Sequence, residues 1–465
     1  MASVALGAVL GLSRPMVVSL IGAGGKTTLL YRLGRELAAA GKAVLLTTTT
    51  HMYHPSPGEA DEVVLAGRAS DLAGAVAGKL RAGRCLFLAR EREGEKVVGL
   101  APAMVDRLAA AWPEVYVLVE ADGAARRPCK GYAPHEPAVP RTTALLVGIA
   151  GLDALGQPLT SVWVHRPEMV AAVTGLAPGA RLAPEDLALT LAVGLRRGMA
   201  VLSRGRAVAW LNKVNRGRLA GARRAARALL AEAFVEKVVL GAAAAKEAVH
   251  EVWAGDTGPC GVAGIVLAAG TSSRMAGQKL LLPLGNKSVL EHVVDLALGL
   301  PLAPVIVVLG HQAEALVAVL GRRPVVLAKN PAYAQGQSTS VRAALAALPS
   351  GVRAAVFFLG DQPLIRAQVV ETLLKTYQET GAPAVYPTYI GRRGNPVLFD
   401  RRAFTALAGC QGDEGGRTLL AGGLAGAVAV PVDDPGILLD IDTAADYERA
   451  RQWWAGGSRE DVGEG

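Results

Sequence analysis

The stretch from Gly264 to Lys279 constrains the fold more than any other part of this 465-residue sequence. It begins as an apolar segment, continues as a loop of small residues and carries two cations, Arg274 and Lys279. The junction consists of Leu267, Ala268, Ala269 and Gly270. Small side chains let a backbone approach a ligand closely, and loop amides bind phosphate oxygens. The stretch predicts a buried strand and a polyphosphate-binding loop; a turn with two solvated cations is the alternative.

The region that follows alternates between helical and strand patterns. The spacing of apolar residues predicts helices at 289–299 and 313–320 and strands at 304–309 and 324–328. This alternation is typical of a parallel sheet with helices on both faces, where ligands bind at the carboxyl ends of the strands. A further apolar strand at 354–359 leads to Asp361, which we predict to bind Mg²⁺. A strand cap is the alternative role for this residue.

Two more carboxylates, Asp440 and Asp442, are separated by one residue. If that segment is extended, both side chains face the same side. Asp442 also precedes a helix predicted to begin at Ala444, which it could cap.

The pattern LAAG-x-S-x-R-M-x-x-x-K followed by LLLPL resembles the signature of the molybdenum cofactor cytidylyltransferases, which are MocA-type, MobA-like NTP transferases. The resemblance implies a Rossmann-like nucleotidyltransferase domain. Its implied catalytic residues are Arg274, Lys279, Asp361 and Asp440, with Asp361 and Asp440 as Mg²⁺ ligands. Residues 267–270 would bind CTP. The resemblance further implies base and ribose contacts from Gly336, Ser338 and Ser340, and acceptor contacts from Asn395 and Arg417. A Ser-rich helix cap is the alternative for 336–340.

The implied reaction transfers CMP from CTP to molybdopterin and yields molybdopterin cytosine dinucleotide and pyrophosphate, for the maturation of molybdenum hydroxylases. A phosphate monoester has a second pKa of about 6, so the nucleophile needs no general base near neutral pH. Catalysis then consists of positioning and charge neutralisation. Ala269 resembles the cytidylyl branch, since the guanylyl branch usually has Gly there. A nucleotidyltransferase for sugar or polyol phosphates and a non-catalytic cofactor carrier or insertion chaperone are the alternatives.

The amino-terminal half opens with a strand at 16–21, a glycine-rich loop and a helix at 26–40. A helix N-terminus attracts phosphate through its dipole and its unpaired N–H groups. We therefore predict a P-loop-like site for ATP or another NTP, with Thr27 on Mg²⁺. Its residues are Gly24, Gly25, Lys26 and Thr27. Asp122 or Glu120, after a strand at 115–119, would hold the metal through water. A structural turn and an acidic strand cap are the alternatives.

The segment Asn212-Lys213-Val214-Asn215 resembles the base-reading motif of guanine-nucleotide proteins, and an ordinary loop is equally open. Residues 216–246 are predicted to be helical. The segments GAGGKTT, LLTTTTHM, VEADGAARRPCKGYAPHEPAVP and DALGQPLTSVWVHRPE resemble YqeC-type accessory proteins of selenium-dependent molybdenum hydroxylases. This resemblance spans most of residues 16–250 and implies a pathway more than a reaction.

A turn cluster at 255–259 predicts a domain boundary. We expect an α/β protein of two doubly wound domains: a P-loop-like NTP-binding domain at 1–255 and the transferase domain at 256–455. A disordered tail at 456–465 would follow.

The charge, hydropathy and cysteine content of the sequence indicate which kinds of partner to expect. The net charge is +9, but the basic residues are scattered, which argues against nucleic-acid binding. The most apolar stretch, 142–164, contains Asp153 and Pro158 and is predicted to be strand and loop, so no membrane is expected. Four widely spaced cysteines fit a reducing cytoplasm. The expected partners are CTP, molybdopterin and a molybdenum hydroxylase apoenzyme.

Overall fold

The computed structural model describes residues 5–67, 72–255, 258–271, 275, 277–412, 415–422 and 424–456. The chain divides into two compact units, Met1–Gly255 and Asp256–Gly465. Strands and helices alternate in both units, which confirms the α/β prediction. None of the helices in these ranges is long and apolar enough to cross a membrane.

The first unit is built on a large sheet with the order β14-β13-β12-β10-β1-β8-β2-β5-β4. Its described strands are β1 (Val17–Gly22), β2 (Val44–Thr48), β3 (His51–Tyr53), β4 (Glu62–Leu65), β5 (Cys85–Ala89), β6 (Glu91–Glu93), β7 (Lys96–Val98), β8 (Tyr116–Glu120), β9 (Cys129–Lys130), β10 (Thr143–Gly151), β11 (Val164–His165), β12 (Arg206–Asn212), β13 (Val235–Gly241) and β14 (Val249–Ala254). Its described α-helices are α1 (Leu6–Val9), α2 (Lys26–Ala39), α3 (Leu72–Val76), α4 (Pro102–Ala111), α5 (Pro167–Thr174), α6 (Pro184–Val201) and α7 (Leu219–Leu230).

The central strand of this sheet is β1, which pairs in parallel with both β10 and β8. All six of its residues are buried. Its neighbour β8 is buried throughout as well, as expected for parallel strands with both faces covered. Because the strands are parallel, the carboxyl ends of β1, β8 and β10 meet at one edge of the sheet. The glycine-rich loop and the carboxylates after β8 therefore lie at the same edge.

The helical prediction for residues 216–246 is wrong beyond α7. Helix α7 ends at Leu230, and Val235–Gly241 forms β13 instead. This strand pairs in parallel with β12 and antiparallel with β14. Its β-branched residues Val235, Val238 and Val239 are buried in the sheet. The tertiary pairing overrides an apolar spacing that also fitted a helix.

The second unit contains a sheet with the order β19-β18-β15-β20-β23-β21-β22, in which β24 also pairs with β21. Its described strands are β15 (Val262–Ala268), β16 (Pro283–Leu284), β17 (Lys287–Ser288), β18 (Val305–Leu309), β19 (Val326–Lys329), β20 (Ala354–Leu359), β21 (Ala384–Tyr389), β22 (Arg392–Arg393), β23 (Val397–Asp400) and β24 (Val428–Pro431). Its described α-helices are α8 (Val289–Gly299), α9 (Ala313–Leu320), α10 (Gln337–Ala346), α11 (Ala367–Thr380), α12 (Phe404–Gly409), α13 (Gly415–Ala421) and α14 (Ala444–Gly456).

This sheet is mixed, and the parallel arrangement predicted for its first strands is confirmed. Strands β19, β18, β15 and β20 are parallel, whereas β23 is antiparallel to both β20 and β21. The connection from β21 to β23 is short, and a parallel pairing would require a crossover of about a dozen residues or more.

Strand β15 lies between two hydrophobic cores. Val266 and Ala268 belong to a core that includes residues of α8 and α11. Ala263 and Ile265 belong to a core that includes residues of α10 and α12. The strand is therefore buried on both faces, and its carboxyl end opens toward the loop that begins at Gly270.

Candidate functional site

The carboxyl end of β15 forms one wall of a cavity of about 510 Å³, the first cavity. Its lining includes the four small or apolar residues of the predicted loop: Leu267, Ala268, Ala269 and Gly270. Gly336, Ser340, Lys279 and Asp361 line it as well. The structure thus brings residues from four distant segments to one space. Arg274 lies outside the described residues, so its predicted role stays a prediction.

Lys279 is the cation of this cavity whose contacts are described. Its Nζ lies 2.5 Å from Asp361 Oδ2 and 2.8 Å from Asp442 Oδ1. Burial disfavours the charged ammonium, but the two carboxylates outweigh burial and hold the pKa of Lys279 above its ordinary value. Lys279 is therefore a persistent positive charge beside two carboxylates.

Asp361 follows β20 at the carboxyl edge of the sheet. Its backbone carbonyl accepts a hydrogen bond from Ile441 N at 3.1 Å, which ties the loop at 440–442 to the end of β20. The second carboxylate oxygen of Asp361, Oδ1, is buried and has no hydrogen-bond partner among the described residues. A buried carboxylate oxygen without a donor has the chemistry of a cation ligand.

Asp440 and Asp442 lie in an irregular segment rather than a strand, so the period-two argument does not apply. Asp440 Oδ1 accepts a hydrogen bond from Gln362 Nε2. The carboxylate of Asp442 accepts a hydrogen bond from Lys279 at 2.8 Å. The cap comes from Thr443 and Asp446: Thr443 N donates to Asp446 Oδ2 at 2.8 Å, and Asp446 N donates to Thr443 Oγ1 at 3.2 Å. These capping contacts involve Thr443 and Asp446, whereas the sequence offered Asp442 as one possible cap.

A second cavity of about 600 Å³ adjoins the first. Both are lined by Leu267, Gln337, Leu359, Asp361 and Asp442. The second cavity alone adds Gln362, Arg392, Arg393, Asn395 and Asp440 to its polar lining. Two spaces therefore converge on Asp361, and the predicted acceptor residue Asn395 lies in the second one.

The segment at 336–340 is held by the chain around it. Gly336 has φ 107°, and a Cβ there would lie 2.5 Å from the backbone of Gly412. Ser340 lines the first cavity, and its hydroxyl accepts a hydrogen bond from Asn330 Nδ2 at 2.9 Å. Ser338 is 1% exposed, and its hydroxyl has no partner among the described residues. Neither hydroxyl caps α10, whose N-cap is Gly336.

Arg417 lies in α13, but its side chain is outside the described part of the structure. The predicted tail falls outside the described residues from 457 onward, and Gly456 is the last residue of α14.

In the first unit, the loop before α2 is rigidly packed. Gly24 and Gly25 have φ values of 80° and 130°, which favour glycine. Lys26 Nζ donates to Gly22 O at 2.7 Å and lies 3.2 Å from Asp122 Oδ1. Burial disfavours its charge, yet the carboxylates of Asp122 and Glu120 keep the pKa of Lys26 above its ordinary value.

Two carboxylates flank this loop. Glu120 Oε2 accepts a hydrogen bond from Thr27 Oγ1 at 2.8 Å, and Asp122 Oδ2 accepts one from Gly22 N at 2.9 Å. Burial raises the pKa of Glu120, and Lys26 opposes that effect only in part. The structure therefore pairs Thr27 with Glu120, and Lys26 with Asp122.

Asn212 and Asn215 have different roles. Asn212 Nδ2 donates to Gly24 O at 2.8 Å, so this side chain holds the loop. Asn215 Oδ1 instead accepts a hydrogen bond from Arg218 N at 3.0 Å and caps a short 3₁₀ turn. The sequence could not indicate the Asn212 contact, because the partners are 188 residues apart.

No group of three or more His, Cys, Asp or Glu side chains in the described ranges has an arrangement suited to a metal ion. A protein-only metal cage is therefore not present among them. Mg²⁺ does not require one, because it commonly binds one or two carboxylates and completes its shell with water and substrate phosphates.

Two family models match this chain, one within each of the two compact units. The YqeC protein family model matches residues 18–168, and the MobA-like NTP transferase domain matches residues 264–428. The Escherichia coli K12 protein YqeC is 35% identical over 174 residues, covering 37% of this chain. The match spans 66% of that protein, just under two thirds of its length.

The second unit is similar to the purine catabolism protein PucB of Bacillus subtilis 168. The two are 31% identical over 201 residues, which is 41% of this chain and 95% of PucB. The crystal structure of the Mycobacterium tuberculosis Rv0371c homologue from Mycobacterium sp. strain JC1 is 31% identical, with a TM-score of 0.39. That match covers 42% of this chain and 98% of the mycobacterial one.

Proposed function

Because this chain belongs to the MobA-like NTP transferase family through its second unit and carries a YqeC domain in its first, we propose that it is a molybdenum cofactor cytidylyltransferase. The reaction joins CMP from CTP to the phosphate of molybdopterin and releases pyrophosphate. The observation that carries this proposal is the pair of adjoining cavities that share Asp361 and Asp442. A transferase of this kind needs two substrates with their phosphates at a common point.

In this proposal CTP occupies the first cavity and the pterin phosphate enters from the second. The backbone at 267–270 and Lys279 face the triphosphate, and Arg274 is proposed to do so as well. Asn395 and Arg417 are proposed to contact the acceptor. Ser340 and Gly336 lie beside the first cavity, so their proposed contact is with the nucleoside. Ser338 is buried and is not part of the described lining of that cavity, so its contact with the nucleoside stays a prediction.

Mg²⁺ fits the carboxylates of this site. Asp361 has a buried oxygen without a hydrogen-bond partner among the described residues, and Asp440 and Asp442 line the same cavity. Asp361 and Asp440 are the proposed ligands. When bound, the ion would neutralise charge on the reacting phosphates.

The chain's own groups supply the remaining chemistry. A phosphate monoester is already mostly dianionic above a second pKa of about 6, so no side chain has to remove a proton. The raised pKa keeps Lys279 protonated, which places a fixed positive charge where negative charge accumulates. The small residues at 267–270 let the backbone approach the phosphates.

The experiment is pyrophosphate release by the purified chain with Mg²⁺ and molybdopterin, comparing CTP, GTP and ATP. Release with CTP alone supports the proposal, and release with GTP would change the assigned base. Release with sugar or polyol phosphates but not with molybdopterin would replace the acceptor. Binding without release would favour a carrier that delivers the cofactor to a hydroxylase.

For the first unit we propose binding of ATP or another NTP at Gly24, Gly25, Lys26 and Thr27. Thr27 and Asp122 are the proposed Mg²⁺ partners, with Glu120 beside Thr27. The support is the long helix α2, whose N-cap Gly25 lacks a side-chain cap, next to Lys26. A titration of ATP with and without Mg²⁺ on wild type and Lys26→Met tests this, and equal affinities would refute it.

A further inference from the structure

Gln362 is a buried amide whose two ends have different surroundings. The residue follows Asp361, is 1% exposed and lines the second cavity. Its Nε2 donates a hydrogen bond to Asp440 Oδ1. An ionised carboxylate accepts hydrogen bonds but cannot donate them, so this contact fixes which end of the amide carries the nitrogen. The oxygen Oε1 is the remaining end, and it has no hydrogen-bond partner among the described residues.

A buried amide oxygen without a donor destabilises a protein, and native proteins pair nearly all such groups with protein, water or ligand. The second cavity, at about 600 Å³, is large enough for a small-molecule ligand. Gln362 is not part of the described lining of the first cavity. Because Gln362 lines the second cavity, an occupant of that cavity or a water molecule could supply the missing donor.

The second cavity is lined by both cationic and neutral polar side chains. Arg392 and Arg393 line it and suit an anionic group such as a phosphate. The Gln362 oxygen is uncharged and accepts only, so it suits an uncharged N–H or O–H donor on the same molecule. The exocyclic amino group of the proposed pterin acceptor is such a donor.

We propose that Gln362 Oε1 accepts a hydrogen bond from an N–H group of the acceptor, so that Gln362 selects acceptors whose ring carries an amino group in addition to a phosphate. This inference rests on the proposed transferase function for the occupant of the second cavity. Gln362 is then a specificity residue of the acceptor site, and its amide nitrogen positions Asp440.

The test is equilibrium binding of two probes to the full chain, followed by their fluorescence. The probes are pterin and lumazine, in which a carbonyl replaces the exocyclic amino group. We expect wild type to bind pterin about 10-fold more tightly than lumazine, the effect of one hydrogen bond. Gln362→Met, similar in length but without an amide, should bind both probes equally.

Equal affinities in wild type, or an unchanged preference in Gln362→Met, would overturn the inference. If Gln362→Met does not fold, judged by lost CTP binding, Gln362→Leu takes its place. Pyrophosphate release does not enter this test. A Gln362-dependent pterin preference without transfer would leave the inference standing and remove the proposed reaction. If the protein transfers CMP but its pterin preference does not depend on Gln362, the proposed reaction stands and this inference is overturned.

Discussion

Replacing Asp361 by Asn tests whether this carboxylate serves the reaction or only the fold. The change keeps the size of the side chain and an oxygen that can accept from Lys279, but removes the negative charge. Asp361 is 18% exposed and Lys279 is 13% exposed, so their contact at 2.5 Å is poorly screened. Lys279 would still have Asp442 as a partner, whose carboxylate lies 2.8 Å from its Nζ. The structural loss should therefore be partial.

The magnitude follows from the kind of hydrogen bond. A bond to a charged group contributes about 1.5–3 kcal/mol and a neutral one about 0.5–1.5 kcal/mol, so Asp361→Asn should lower the free energy of unfolding by about 1–2 kcal/mol. For a domain of this size that corresponds to a melting temperature lower by about 2–8 °C. The rate should fall far more, by about 10²–10³, because a preorganised charge at the reacting phosphates is lost.

The matched control is Asp400→Asn. Asp400 is also largely buried and accepts hydrogen bonds from Arg402 Nε and Tyr377 Oη, both at 2.7 Å. It does not belong to the described lining of either cavity. This variant should lower the melting temperature without a change in pyrophosphate release. The assay is thermal unfolding by circular dichroism beside pyrophosphate release at saturating CTP. If Asp361→Asn kept more than a tenth of the wild-type rate, the catalytic role would be refuted.

Three other changes test separate parts of the structure. The pKa of Lys279 is raised in the folded protein, so its ion pairs stabilise the fold. This contribution is complete below the unfolded-state pKa of about 10.4, and it is lost as the pH rises through the folded-state pKa. The difference in unfolding free energy between wild type and Lys279→Met should thus be constant from about pH 6 to 9 and shrink above about pH 10.5; a difference that grew there would contradict the assignment. Gly24→Ala should lower the melting temperature of the first unit much more than Gly41→Ala. Both glycines have positive φ, but only at Gly24 would a Cβ contact backbone atoms, at 2.5 Å. Equal decreases in melting temperature would mean that backbone strain alone accounts for the effect. Arg392→Ala should raise the KM for the phosphate acceptor about 3- to 10-fold without affecting the KM for CTP, because this exposed side chain lines the second cavity only; an equal rise in both constants would place it elsewhere.

Local sequence determined the class of fold and the position of many elements. The apolar residues at 289–299 and 354–359 specify a helix and a strand through their own spacing, and α8 and β20 have those bounds. Asp361 could also be identified from the sequence, because it is the carboxylate that follows a wholly apolar strand. The glycine-rich loop before Lys26 was evident because helix N-termini and glycine have local conformational preferences.

Only the tertiary structure decided which distant groups meet. Lys279 contacts Asp442 across 163 residues and Asn212 holds Gly24 across 188 residues, and no local spacing encodes either pair. The same limit explains two strands. Pairing with β12 makes β13 a strand although its apolar spacing also fitted a helix, and the direction of β23 is set by its antiparallel pairing with β20. Periodicity reports which face of an element is apolar, whereas the path of the chain sets what packs against that face. The sequence by itself therefore determined many of the elements, whereas tertiary packing placed Lys279 between Asp361 and Asp442 and brought Gln362 against Asp440.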